Sequence, residues 1–191
     1  MLQADEGTLQ ELRTAYWRQA GEAGVDPGGR VFVDQQPLNT LKLPLIARLF
    51  PGAKILFACR DPRDVVLNCF RHRFSMNPAM YQLLSLEGAA AFYDATMRLA
   101  EQARLSLGLD LQVVQYERLV DDPTQQLRVV CDFLGISAVR PQEFGHATPG
   151  AAPFTRSLDH SGVGDWRHYQ SALAPILPTL ETWVQSLGYG A

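Results

Sequence analysis

Apolar residues recur at helical spacing from the start of the chain. Leu9, Leu12, Tyr16 and Ala20 share one face of a helix predicted from Thr8 to about Gly24. Thr8 and Glu11 have the spacing of a capping box, and Gly24 is a natural stop. Gly28-Gly29 then interrupts the chain before Val31-Phe32-Val33, a β-branched and aromatic run ending at Asp34 that predicts a short strand. A second amphipathic helix is expected from Thr40 to Phe50, closed by Pro51-Gly52, with Pro44 bending it or marking its true start. Lys54-Ile55-Leu56-Phe57-Ala58-Cys59 is short and almost wholly apolar, with Pro-Gly before it and Arg-Asp-Pro after it. It predicts a strand buried on both faces of a sheet.

The residues that follow change the periodicity from strand to helix. Asp61 can cap a helix, Pro62 suits the first helical position, where a missing N–H costs nothing, and Asp64 falls in the first turn. Leu86, Ala90, Tyr93, Met97 and Ala100 line one face of a longer helix from Ser85 to about Leu107, and Leu111-Gln112-Val113-Val114-Gln115 predicts a further buried strand. The cap-proline pattern returns at Asp122-Pro123, opening a helix through Leu127, Val130 and Leu134 that Gly135 stops. From Arg140 to Asp165 the chain is rich in Gly, Pro, Ser and Thr and predicts a long loop. A helix on Leu173, Leu177, Leu180, Trp183 and Leu187 closes the sequence. Strands alternating with helices imply an α/β fold with a parallel sheet, right-handed crossovers and ligands outside the carboxyl ends of the strands.

Composition narrows this picture only a little. The 191 residues, 47% hydrophobic and 19% charged, suffice for one globular domain over residues 1–191. A net charge of -3 gives no general attraction for nucleic acid or an anionic membrane, so any anion must be met by a local cluster. Cys59, Cys69 and Cys131 are odd in number, lie in apolar runs and lack metal-ligand spacing, and so read as reduced core thiols. No apolar run approaches the roughly 18 to 20 residues of a membrane span, and the first residues, acidic rather than basic then apolar, do not resemble a signal peptide. The expectation is a soluble cytoplasmic protein. His146, His160 and His168 show no metal-binding pattern, and no Ser-His-Asp set can be argued from their order. Arg71-His72-Arg73 reads as a solvated helix end that complements the helix dipole.

The candidate chemistry lies at three strand ends: Asp34 to Pro37, Arg60 to Asn68, and Tyr116-Glu117. Arg60 leaves a buried strand where a helix begins, so its guanidinium fork, free backbone N–H groups and the helix dipole could converge on one phosphate. Asn68, two helical turns on, could add an amide donor. The competing reading is a structural ion pair between Arg60 and Asp34, Asp61 or Asp64. Arg63, flanked by acids, fits such a pairing better than a ligand contact.

Five segments in order carry a resemblance: Val33-Asp34-Gln35-Gln36-Pro37-Leu38-Asn39; Pro51-Gly52-Ala53-Lys54-Ile55-Leu56; Arg60-Asp61-Pro62-Arg63-Asp64-Val65-Val66-Leu67-Asn68; Tyr116-Glu117-Arg118-Leu119-Val120-Asp121-Asp122-Pro123; and Val163-Gly164-Asp165-Trp166-Arg167-His168-Tyr169. From about Leu12 to Leu187 the chain resembles bacterial sulfotransferases of the kind often fused behind tetratricopeptide repeats. The resemblance implies a P-loop NTPase-like parallel sheet flanked by helices, 3′-phosphoadenosine 5′-phosphosulfate as co-substrate without a metal, an acceptor of unknown identity, and a tetratricopeptide-repeat region in the parent protein. It also implies roles for individual residues. Arg60 matches the arginine that grips the 3′-phosphate, Asn68 stands where serine is usual, and Tyr116 matches a tyrosine beside the adenine. Gly164 and Trp166 match a closing segment in which His160 replaces a basic residue.

Two departures limit what the resemblance implies. Gln35 stands where the family places a lysine near the sulfuryl group, and nowhere in the sequence is there a Gly-x-x-x-x-Gly-Lys or Gly-x-x-Arg-Ser-Gly-Thr loop to cradle the 5′-phosphosulfate. The expectation is therefore a sheet incomplete at the N-terminus and a C-terminal portion of a sulfotransferase, with little activity by itself. The alternative is a non-catalytic remnant acting as an interaction domain. A P-loop kinase is disfavoured because its defining loop and metal-binding acid are also missing. Loops at Phe74 to Ser85 and Phe144 to Ser161 are expected to shape the acceptor pocket.

Overall fold

Helix α1, Glu6–Glu22, begins where the Asp5 carboxylate accepts the Thr8 N–H at 2.8 Å. Asp5, not Thr8, is thus the cap, and the helix starts a little before the predicted position. Gly24, at φ 84, takes the left-handed conformation that ends it. The computed structural model describes residues 5–26, 28–29, 31–137 and 159–190. Most of the loop predicted from Arg140 to Asp165 lies outside the described residues.

The described chain clusters into two compact units, one drawn from Met1–Lys54 and Arg98–Asp110, the other from Ile55–Met97 and Leu111–Ala191. In the first, a 3-10 segment, Pro37–Lys42, leads into α2, Leu43–Leu49. Pro44 therefore marks the start of the α-helix rather than a bend in it. Leu9 of α1 and Leu43 of α2 are buried, and Tyr16 and Trp17 pack on Phe50 and Phe32 with ring centroids 5.1 and 5.5 Å apart respectively. The strand predicted at Val31 to Val33 is not formed, because among the described residues no neighbouring strand supplies ladder partners. Its alternation survives all the same: Phe32 packs on Trp17 while Val31 and Val33 are exposed.

The second unit holds the sheet. Strands β1, Ile55–Cys59, and β2, Leu111–Gln115, pair in parallel with Ile55 opposite Leu111 and Cys59 opposite Gln115. They are joined through α3, Pro62–Arg71, and α4, Leu86–Leu107, with a 3-10 segment, Met80–Leu84, between the helices. α4 is divided between the two units after Met97. β1 departs from the expected two-sided burial: Leu56 and Ala58 are exposed and their neighbours only partly covered, because the sheet among the described residues has just two strands. Short helix α5, Tyr116–Asp121, follows β2, and α6, Pro123–Leu134, starts at the predicted Asp122 cap and stops at Gly135, φ 72.

The helix predicted to close the chain is broken into α7, Gln170–Leu173, and α8, Leu177–Ser186, with Pro178 in the first turn of α8. Its apolar face behaves as the periodicity indicates. Leu173, Ile176, Leu180 and Val184 bury against Val66 of α3, Leu83, and Ala89 and Ala90 of α4. Among the described residues no helix is long and apolar enough to cross a membrane. The chain is thus a helix-rich α/β protein with a parallel pair at the centre of its second unit. Leu180 has no solvent exposure, so Leu180→Ala should lower unfolding free energy in urea titrations by about 2 to 5 kcal/mol.

Candidate functional site

Parallel pairing fixes the geometry from which the site is built. Because Cys59 is opposite Gln115, the first residue past each strand, Arg60 and Tyr116, emerges at the same carboxyl end. The Arg60 guanidinium carbon lies 5.2 Å from the centroid of the Tyr116 ring. One Nη of Arg60 donates to the Gly162 carbonyl and stands 3.6 Å from Asp64 Oδ2. Its Nε is buried with no hydrogen-bond partner among the described residues. Of the ion pairs open to Arg60 in the sequence, the one with Asp64 is formed.

Asp64 is the most constrained polar group in this region. Its side chain is 1% exposed, and its two oxygens accept the backbone N–H groups of Gly164 at 2.7 Å and Trp166 at 2.8 Å. Burial pushes the carboxyl above its ordinary range, although both N–H groups and the Arg60 charge pull the other way. Gly162 and Gly164 have φ of 79° and 76°, a backbone region that side chains rarely tolerate. A Cβ on Gly162 would also approach Arg60 Nη2 to 3.0 Å.

The same segment reaches β2 through Tyr116, whose hydroxyl donates to the Asp159 carbonyl at 2.8 Å. Arg60, Tyr116 and Gly164 are therefore brought together, the last through Asp64. His160 lies on this segment, but its Nε2 is 2.8 Å from Asp121 Oδ1 and both side chains are largely exposed. Asn68 lies on α3 one turn beyond Asp64, exposed and not hydrogen-bonded to the other four.

The helix start differs from the expected open anion site. Pro62 has no N–H, the Arg63 N–H goes to the Asp61 carboxylate at 2.9 Å, and that of Val65 goes to the Asp61 carbonyl. Arg63 has the structural role expected of it: its guanidinium grips Asp61 at 2.9 and 2.7 Å and lies 3.8 Å from the centroid of the Trp166 ring. In the first unit, Asp34 accepts the Tyr16 hydroxyl at 2.8 Å, and Tyr16 is pushed up to about 12 by burial and by that carboxylate. Gln36 caps the 3-10 segment, while Gln35 is exposed.

The sequence assigns Asp64 to the helix start or to an ion pair with Arg60, but not to the backbone of the late loop, and it gives Gly162 no role. The glycine spacing of Gly162-Val163-Gly164 is the available signal, because two left-handed residues let neighbouring N–H groups turn toward one carboxylate. Asp64→Asn replaces one acceptor with a donor aimed at a backbone N–H. It should lower stability by about 1 to 3 kcal/mol and speed amide exchange at Gly164 or Trp166, measured by denaturant titration and hydrogen exchange. Cys59, the residue before Arg60, is pushed up to about 11 by burial and the Glu117 charge. Roughly one thiol in a thousand is then ionised at pH 8. Iodoacetamide should leave Cys59 almost unmodified at that pH and react progressively faster toward pH 10, read by mass spectrometry.

Comparison with known proteins agrees with this architecture. A protein of Aquifex aeolicus (strain VF5), described only as uncharacterized, is 21% identical over 198 aligned positions, which cover 98% of this chain. They cover 25% of that protein, so the chain spans about a quarter of the length of the relative it matches. The profile of the Sulfotransferase family matches residues 3–140, a stretch that includes both strands, Arg60, Asn68 and Tyr116 and ends before His160 and Gly164. With nearly three quarters of its length matched, the chain belongs to the sulfotransferase family.

Proposed function

We propose that this chain provides the 3′-phosphate half of a site that transfers a sulfuryl group from 3′-phosphoadenosine 5′-phosphosulfate to an acceptor hydroxyl or amine, on a P-loop NTPase-like fold. The observation that carries the reading is Arg60: a guanidinium at the carboxyl end of β1, next to the Tyr116 ring, with a buried Nε donor that has no acceptor among the described residues. A phosphate oxygen is the acceptor such a donor lacks, and a charged hydrogen bond there is short and strong. Tyr116 offers a flat face for adenine, Asn68 an amide donor, and Gly164 and His160 belong to the segment that closes over the group.

Binding is an exchange in this arrangement. The phosphate competes with the Gly162 carbonyl and the Asp64 carboxylate for the same guanidinium. In the transfer itself the acceptor oxygen or nitrogen attacks sulfur in line and gives up its proton to solvent, the bond from sulfur to the 5′-phosphate oxygen breaks, and adenosine 3′,5′-bisphosphate departs. Negative charge grows on the leaving oxygen; the family pattern has a lysine for that charge at the position of Gln35, whose amide is uncharged. These 191 residues contain no glycine-rich phosphosulfate loop. Turnover therefore requires a cradle from outside them, and the chain alone is expected to show little activity. The three cysteines are free, in keeping with a cytoplasmic setting, and the parent protein is expected to carry a tetratricopeptide-repeat region.

The second reading, a non-catalytic interaction domain, draws on Gln35 and on the fact that Arg60 already has protein partners. Calorimetric titration with adenosine 3′,5′-bisphosphate separates the two. Arg60→Ala should weaken binding by about 1.5 to 3 kcal/mol, roughly 10- to 150-fold, with Arg60→Lys in between and Arg18→Ala unchanged. An Arg60→Ala protein that stays folded and binds as tightly as the wild type would overturn the proposed site.

A further inference from the structure

We infer that Tyr189, in the segment that follows α8, is a positioning residue that sets the separation of Arg60 and Tyr116; its consequence for nucleotide binding rests on the function proposed above. The Tyr189 hydroxyl donates to Glu117 Oε2 at 2.6 Å, and the other oxygen of that carboxylate accepts the Asp61 N–H at 3.0 Å. Asp61 follows Arg60 and Glu117 follows Tyr116, so one carboxylate ties the turn after β1 to the turn after β2. The segment 187–189 holds the ends of both strands a second time. The Tyr189 carbonyl accepts Arg63 Nη2 at 3.0 Å, and two residues earlier the Leu187 carbonyl accepts Gln115 Nε2 at 2.7 Å.

The segment itself is fixed, which lets it serve as a reference point. The Tyr189 N–H bonds back to the Val184 carbonyl at 2.8 Å, with Gly188 at φ 81 turning the chain out of α8. Tyr189 also packs against the core that Val66, Leu180 and Val184 form. Burial, helped by the Glu117 charge, pushes its phenol well above the ordinary range, so the hydroxyl keeps its proton and stays a donor at any working pH. None of these groups touches the unpartnered Arg60 Nε. They act on the backbone on either side of the two ligand-facing residues.

Tyr189→Phe keeps the ring and removes only the donor. In the ligand-free protein it should speed exchange of the Asp61 amide about tenfold, the effect of one lost hydrogen bond, while the Ala90 amide in α4 is unmoved. The same variant should weaken adenosine 3′,5′-bisphosphate binding about fivefold at a temperature where it is fully folded. Glu117→Ala should reproduce both effects. Glu117→Gln, whose carbonyl can take the Asp61 N–H and whose amide can donate to the Tyr189 hydroxyl, should stay close to wild type. Unchanged Asp61 exchange in Tyr189→Phe overturns the inference, as does faster exchange at Asp61 and Ala90 alike, which marks general loosening. Faster Asp61 exchange with wild-type affinity overturns the link to the ligand. A wild-type protein that binds no bisphosphate defeats the sulfuryl-transfer reading instead, and the exchange data still decide the role of Tyr189.

Discussion

A carboxylate sealed from water must find hydrogen bonds and a counter-charge, and Asp64 finds them in a segment a hundred residues further along. Its oxygens take the N–H groups of Gly164 and Trp166, and the Arg60 guanidinium stands beside one of them. Removing any one of these partners would leave a buried charge only partly compensated, which costs more than the bond is worth when intact. The segment 159–166 is thus held by these polar contacts as well as by Trp166, which packs against the apolar core. Arg63 lying on Trp166 adds the second fastening.

The same arrangement explains why α3 does not present an open anion site. The helix is capped from within by Asp61, which Arg63 neutralises in turn. On the proposed function, a ligand would meet the side chain of Arg60 rather than a ring of backbone donors. Selectivity at such a site comes from the flat guanidinium and the neighbouring tyrosine, and less from the helix dipole, part of which the cap has used.

How far the sequence could be read follows from how local each signal is. The Asp61-Pro62 and Asp122-Pro123 starts and the Gly135 stop come from contacts within a few residues, the two strands are marked by short apolar runs between turn signals, and each is where the sequence pattern puts it. Val31 to Val33 has strand composition without a strand, because pairing needs a neighbour that local composition cannot supply. The break between α7 and α8 has a local sign in Pro178, but the apolar spacing runs straight across it. At the site, Arg60, Tyr116 and Gly164 are legible from strand ends and a family pattern. The bonds from Asp64, Glu117 and Tyr189 are not, since each joins residues more than fifty apart.

The core of the second unit has a consequence for the order in which this protein can be made. Val66 and Ala90 are synthesised before their packing partners Leu173, Ile176, Leu180 and Val184, which arrive at least 80 residues later. Until then Val66, Leu83, Ala89 and Ala90 lack part of their apolar cover, and β1 must also wait for Leu111 to Gln115 before it can pair. A chain emerging from the ribosome therefore holds part of its core surface exposed, and open to aggregation, until α7 and α8 have been made. Its yield in a cell is set by how long that surface must be shielded as much as by the stability of the finished fold.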